Sequence, residues 1–280
     1  VFDIGCMVMC RLLVLLSKPR NENQFLEKII DYFVKASVND VYIKGRGHRD
    51  GWGFVCLAYS ESTGKPVVLS FKTLSPIDSI YSKSILNRFV EKVSVYDEVY
   101  LMIHSRLGGL TEPYGEEHVH PYFFKGKNHL LWFIHNGGVD KFRLSEFVGE
   151  NPLLHTDSWF TAAYISFKMN DCSSSVDECV VSIYSDLAEY ISKNSSLNTG
   201  LLILQNGEHH LYVSYIPRAE AANNVYYALY QYVGETNIAV FSSTIHYYMV
   251  QEDKRYVDNV KQLKPGVYKL SFKNKITKLS

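Results

Sequence analysis

The chain has 280 residues and a mass of 32.1 kDa, with 46% hydrophobic and 21% charged side chains, a make-up too apolar for disorder. Its 29 Lys+Arg balance 29 Asp+Glu, the pI is near 7.2 and no Lys/Arg run occurs, which argues against a nucleic-acid or anionic-membrane partner, since both call for a basic excess. The longest stretch free of Asp, Glu, Lys and Arg runs from Thr236 to Gln251, 16 residues broken by polar side chains, against the roughly 20 apolar residues that cross a bilayer.

Ile4 to Leu16 is apolar, but Asp3 precedes it, Arg11 splits it and no small-residue cleavage site follows, so a secretory signal is not indicated. The five cysteines, Cys6, Cys10, Cys56, Cys172 and Cys179, are odd in number and contain no Cys-x-x-Cys pair. They point to reduced thiols in a cytoplasmic protein rather than to a disulfide framework or a Cys-only zinc site. No repeat or low-complexity linker appears, and one compact domain is expected.

In chain order, a strand is predicted at Cys10–Leu16 and a helix at Gln24–Ala36, where apolar residues recur at helical spacing behind Asn21 as cap. Strands follow at Gly53–Ser60 and Val67–Thr73, with Ser62, Gly64 and Pro66 marking the turn, then a helix over Ile77–Val93. Short apolar runs at Glu98–His104 and His129–His135 suit buried strands, and Ser158–Lys168 and Val176–Lys193 suit helices. The last third is strand-rich: Gly200–Gln205, His209–Ile216, Val225–Tyr232, Ile238–Phe241 and Gly266–Phe272, with Asn206-Gly207 a hairpin signal between the first two. Antiparallel-looking hairpins around central helices indicate an α+β or layered architecture rather than regular βαβ alternation.

Five stretches carry polar groups against apolar strands: Met9-Cys10-Arg11-Leu12-Leu13, His48 to Gly53, Ile103-His104-Ser105-Arg106, Ile134-His135-Asn136-Gly137-Gly138 and His155-Thr156-Asp157-Ser158. Singly each has a plain explanation. Cys10 reads as a buried small hydrophobe, Arg106 as a strand-end charge, Asn136-Gly137 as a type I′ turn, Asp157 as a helix N-cap, and Asp50-Gly51 as a turn.

Together, with His120-Pro121, these segments resemble the class II glutamine amidotransferases, N-terminal-nucleophile hydrolases whose first mature residue is Cys. The likeness is to the stand-alone γ-glutamyl amidohydrolase type. It rests on Cys10–Leu13, Asp50–Gly53, His104–Arg106, His120-Pro121, His135–Gly137 and Thr156–Ser158 in the family's order, and extends to Phe241–Thr244 and Leu263–Gly266. The resemblance implies an α+β fold, a four-layer αββα sandwich with two mainly antiparallel sheets, with residues 10–280 as a single glutamine amidotransferase type 2 domain.

It also implies hydrolysis of glutamine, or another γ-glutamyl compound, through a thioester on Cys10. The α-amino group of Cys10 would serve as base, because its pKa of roughly 7.7–8.0 lies close to the thiol's. Asn136 and Gly137 would supply the oxyanion donors, Arg106 the partner of the substrate carboxylate and Asp157 that of its ammonium, with His104 among the substrate-binding residues. No cofactor or metal is implied. The partners implied are the small-molecule γ-glutamyl substrate and, where ammonia is passed on, a separate synthase subunit.

The sequence departs from the pattern twice. Residues 1–9 precede Cys10, which fits trimming after Met9, removal of a propeptide, or an unprocessed and inactive chain. Trp159 stands where the family often has an acidic residue. A metal-dependent hydrolase is the competing enzyme class, since His118 and His120 would share one face of a strand, with His104 or His135 completing a site. A catalytically inactive binding module of the same fold is the non-enzyme reading.

Overall fold

The computed structural model describes residues 10–43, 47–109 and 112–280. The expectations for residues 1–9, the leader and Cys6 included, fall outside the described residues. The chain forms, in order, β1 (Arg11–Ser17), α1 (Asn23–Val38), β2 (Trp52–Tyr59), β3 (Pro66–Thr73), α2 (Ile80–Val93), β4 (Glu98–Ser105), β5 (Tyr122–Lys125), β6 (His129–Gly137), α3 (Lys141–Val148), α4 (Asp157–Asp171), α5 (Val176–Ala188), β7 (Ser196–Gln205), β8 (Glu208–Pro217), β9 (Leu229–Val233), β10 (Asn237–Ser242), α6 (Ser243–Glu252), β11 (Val260–Gln262), β12 (Gly266–Ser271) and β13 (Lys275–Lys278).

The strands make two antiparallel sheets, the first in the order β11-β9-β10-β1-β4-β2-β3 and the second in the order β13-β12-β8-β7-β6-β5. Strand periodicity explains the layering. On β1, Leu13 and Leu15 pack with α1, α2 and α6, whereas Leu12, Val14 and Leu16 point to the second sheet. Both faces of β1 are therefore buried, which is why the strand reads as an unbroken apolar run after Arg11. The outer face of the second sheet is covered by α3, α4 and α5 through Leu144, Phe160, Ile165, Val180 and Leu187. The result is the expected α+β, four-layer αββα sandwich.

The longer elements lie where the sequence pattern predicts them, with ends moved by one to a few residues. Asn206 and Gly207, at φ 53° and 81°, form the hairpin turn between β7 and β8. Other expectations are corrected. Glu22, not Asn21, occupies the cap position of α1, and its side chain makes no capping bond. Thr156 caps α4 by accepting from Trp159 N, which makes Asp157 the first helical residue rather than the cap. The predicted strand Val225–Tyr232 splits into a 3-10 turn, Val225–Tyr227, and β9. Asn136-Gly137 ends β6 and makes no hairpin turn.

Cys172 and Cys179, expected as free thiols, are joined in a disulfide that ties the end of α4 to α5. The short turn between these helices brings their Cα atoms to 6.0 Å, within bridging reach despite the absence of a Cys-x-x-Cys spacing. Cys10 and Cys56 are free and buried.

Gly200, on β7, fixes how closely the sheets approach. A Cβ there would lie 2.7 Å from Val14 Cγ2, 2.9 Å from Ile134 Cγ1 and 3.0 Å from Met102 Sδ. Gly200→Val is expected to destabilise the protein by about 1–3 kcal/mol through overpacking, read as a lowered urea midpoint with an unchanged slope.

Candidate functional site

At one end of the inter-sheet layer the apolar filling gives way to polar side chains from both sheets. The N-terminal end of β1 brings Cys10, the C-terminal end of β4 brings His104 and Arg106, the end of β6 brings His135, Asn136 and Gly137, and the first turn of α4 brings Asp157. The six candidate residues of the sequence, Cys10, His104, Arg106, Asn136, Gly137 and Asp157, therefore gather at this end, with His135 beside them.

Two hydrogen bonds cross the sandwich here. The backbone N–H of Cys10 donates to Asn136 Oδ1 at 2.9 Å, and His104 Nε2 lies 3.0 Å from the carbonyl oxygen of His135. A carbonyl only accepts, so His104 carries its proton on Nε2. The His104 ring is spent on holding the peptide that leads into Asn136. With Asn136 Oδ1 occupied, its Nδ2 is buried with no partner among the described residues.

Gly137 follows at φ 155°, where a Cβ would sit 1.6 Å from the Ser196 carbonyl oxygen, so the turn admits no side chain. The Cys10 thiol lies 3.8 Å from the Leu107 carbonyl oxygen, and burial pushes its pKa up to about 11, against smaller lowering effects from Leu107, Arg106 and Arg11.

Arg106 is held by its backbone, whose N–H donates to Gly51 O at 2.8 Å and whose carbonyl accepts from Asp50 N at 3.0 Å. Asp50 accepts from Gly108 N at 2.7 Å, which gives the Asp50–Gly53 stretch its task of pinning the segment after β4. The guanidinium donates from Nη2 to Pro113 O at 2.9 Å, while Nη1 is buried without a partner among the described residues.

Asp157 accepts from Val139 N at 3.0 Å and from Ser158 N at 2.6 Å. Ser158 Oγ links Asp157 Oδ1, at 3.2 Å, to His135 Nδ1, at 3.0 Å. A cavity of about 600 Å³ opens beside Asp157, bordered also by Glu112, Val139, Lys141 and Arg218. Burial and then Asp157 raise the pKa of Glu112, and Lys141 pairs with it at 3.2 Å.

Sequence reasoning missed the network behind Cys10. Arg11 is wholly buried, pairs with Asp40 and stacks 3.9 Å over the Tyr226 ring. Asp40 also meets His48 Nε2 at 2.7 Å and accepts from Thr244 at 2.9 Å. Burial alone would raise its pKa, but the His48 bond and the Arg11 charge hold it below the usual carboxylate value. An arginine opening an otherwise apolar strand was the available signal, since a charge buried there requires a partner.

His118 ends a 3-10 turn and His120 precedes β5, so the two do not share a strand face. Among the described residues no group of three or more His, Cys, Asp or Glu side chains is placed to hold a metal ion. His120 instead packs on His104 with ring centroids 3.9 Å apart, and burial drives the pKa of both well below the ordinary imidazole value, so both are neutral.

No family model matches the chain, and no curated relative does. Among solved structures it is similar to an allosteric regulatory enzyme of purine biosynthesis, with a TM-score of 0.56 and 16% identity over 96% of this chain and 49% of that one. A predicted glutamine amidotransferase from Pseudomonas aeruginosa PA01 aligns with a TM-score of 0.36 and 14% identity, over 85% of this chain and 83% of that one. The chain spans about half the length of the first structure, and at this identity the likeness is one of fold. The four-layer arrangement derived from strand register and core packing is thus an established architecture, the one found in the purine-biosynthesis enzyme.

Proposed function

We propose that the chain hydrolyses the amide of a γ-glutamyl substrate, glutamine being the simplest, with Cys10 as nucleophile once removal of residues 1–9 has made it the first residue. The observation that carries this reading is the pairing of Cys10 with Asn136. One end of the side-chain amide holds the Cys10 nitrogen, and the other leaves a buried donor free at the same end of the inter-sheet layer. Thiol attack on an amide places negative charge on the carbonyl oxygen, and a donor fixed in advance is what such an oxyanion requires. The backbone N–H of Gly137 is the second donor in this proposal.

The remaining groups suit a zwitterionic γ-glutamyl head. Arg106, with Nη1 unpaired, takes the α-carboxylate, and Asp157 takes the α-ammonium at the edge of the 600 Å³ cavity. His104 acts on the substrate indirectly, by orienting the His135–Asn136 peptide.

In the reaction the Cys10 α-amine accepts the thiol proton and the thiolate sulfur bonds to the carbonyl carbon of the γ-carboxamide. The tetrahedral intermediate collapses with that proton passing to the amide nitrogen, and ammonia leaves. Water then adds to the thioester, loses its proton through the same amine to the departing sulfur, and frees the γ-carboxylic acid. The amine base exists only where Cys10 begins the chain, because an amide nitrogen accepts no proton. Ammonia is consumed by a separate synthase subunit or released to solvent; cleavage of bulky γ-glutamyl amides without a partner would mark the second case.

Two outcomes test the proposal. A chain beginning at Cys10 hydrolyses glutamine or a γ-glutamyl amide, and Asn136→Asp, which keeps the acceptor for Cys10 N but removes the Nδ2 donor, lowers kcat about 10²–10³-fold with a smaller effect on KM. Absence of turnover, together with no mass adduct from a glutamine-like electrophile, would assign the fold to an inactive binding module.

The second outcome concerns pH. With residues 1–9 attached, alkylation of Cys10, followed by mass mapping of its peptide, should rise with pH up to the thiol's value of about 11. A raised thiol pKa means that the reactive thiolate is scarce at neutral pH. In the chain starting at Cys10 the neighbouring α-amine, with a pKa of roughly 7.7–8.0, takes the thiol proton, so alkylation should already rise through that range rather than only towards about 11.

A further inference from the structure

The layer between the sheets is filled in its middle but opens along one margin, where β3 and β5 are the outermost strands of their sheets. Register places Val68 opposite Leu57, Ser70 opposite Val55 and Lys72 opposite Gly53. Paired residues in an antiparallel ladder share a face, and Val55 and Leu57 belong to the inter-sheet core. Val68, Ser70 and Lys72 therefore face the second sheet. Across from them, Phe123 pairs with Trp132, which is also part of that core.

Between these walls lies a cleft of about 490 Å³ lined by Ser70, Lys72, Pro121, Phe123 and Trp132, together with Phe54 and Phe71. The volume is that of a small-molecule site. The cleft is open to solvent: Phe123, on its wall, is 50% exposed. The Phe123 and Trp132 rings lie 5.0 Å apart, tilted by 39° to one another, and offer an angled aromatic wall. The only charge on the lining is Lys72, whose ammonium lies 5.3 Å from the centroid of the Tyr122 ring. Among the described residues no carboxylate comes within ion-pair distance of it. Burial lowers its pKa to about 8, and Glu116 and Glu117 act on it only at longer range. A cation drawn partly out of water without a paired anion is a cost that an anionic ligand would relieve.

We propose that this cleft binds a planar aromatic carboxylate, its ring against Phe123 and Trp132 and its carboxylate on Lys72, with the Ser70 hydroxyl as a second donor. The aromatic wall selects a flat ring through offset or edge contacts, and the single cation selects one negative charge. The site does not depend on the chemistry proposed for Cys10.

Calorimetric titration of the full chain with 2-naphthoate and with its neutral analogue 2-naphthamide tests this. Naphthoate is expected to bind at one site per chain and naphthamide at least tenfold more weakly. Lys72→Met and Phe123→Ser should each weaken naphthoate at least tenfold, while Lys72→Arg should keep it within about threefold, because that variant retains the charge on a part-exposed side chain. Thermal melting of each variant separates lost binding from lost folding. No binding, equal binding of acid and amide, or unchanged binding in a folded Lys72→Met variant would overturn the proposal. So would a concentration-dependent dimer abolished by Phe123→Ser in a protein that ignores naphthoate, which would assign this margin to a second copy of the chain.

Discussion

The arrangement of the site depends on two hydrogen bonds that cross from one sheet to the other, Cys10 N to Asn136 Oδ1 and His104 Nε2 to His135 O. Elsewhere the sheets meet through Leu12, Val14, Met102, Ile134, Leu202 and Val213, contacts that are strong in sum but weakly directional. A slip of an ångström or so between sheets would separate Cys10 from Asn136. The two polar bonds, made where water is excluded, convert general apposition into a fixed relation between two backbone segments. Gly200 works on the same relation from the middle of the layer, by allowing β7 to approach Val14 and Met102 without an intervening side chain.

Burial governs the electrostatics at this end of the sandwich. It raises the Cys10 thiol and lowers His104, His120 and His135, so the imidazoles serve as neutral hydrogen-bonding and packing groups. Keeping them neutral avoids setting several cations against the Arg106 guanidinium. The Arg11 charge is answered by Asp40, which shares its carboxylate with His48 and Thr244. Removing either member of such a pair strands the other, so the network behind Cys10 tolerates change less well than the apolar residues around it.

Much of this was legible in the sequence because the periodicities are strong. β1, β4 and β6 are apolar runs buried on both faces, and α1 has a clear helical stripe, so tertiary context and local pattern agree. What escaped detection has physical reasons. α3 is eight residues with one buried side chain, and its definition comes from the Asp140 cap and from Gly149 at φ 77°. α6 continues directly from β10 inside a stretch rich in aromatic and β-branched residues, where composition favours a strand. β5, β11 and β13 are edge strands of three or four residues, too short to establish a period. At the candidate site, motif order singled out Cys10, His104, Arg106, Asn136, Gly137 and Asp157, which the fold brings to one end of the inter-sheet layer. Asp40, Glu112 and Lys141 stayed hidden, because each gains significance only from a partner brought close by the fold.

One inter-sheet layer thus has three regions set by what faces inward. Branched and apolar side chains close its middle, polar groups in fixed register form one end, and Ser70 and Lys72 opposite Phe123 and Trp132 leave one margin open. The last two regions are joined through a single stretch of chain: His120 packs on His104 beneath the Asn136 peptide, and Pro121, its neighbour, lines the open cleft. Neither ring nitrogen of His120 has a partner among the described residues. Its place is therefore kept by packing against His104 and Tyr122, a contact that transmits position without directional bonds of its own. The rigidity of the Asn136-Gly137 segment consequently rests on the His104 bond and on how well His120 fills the space behind it.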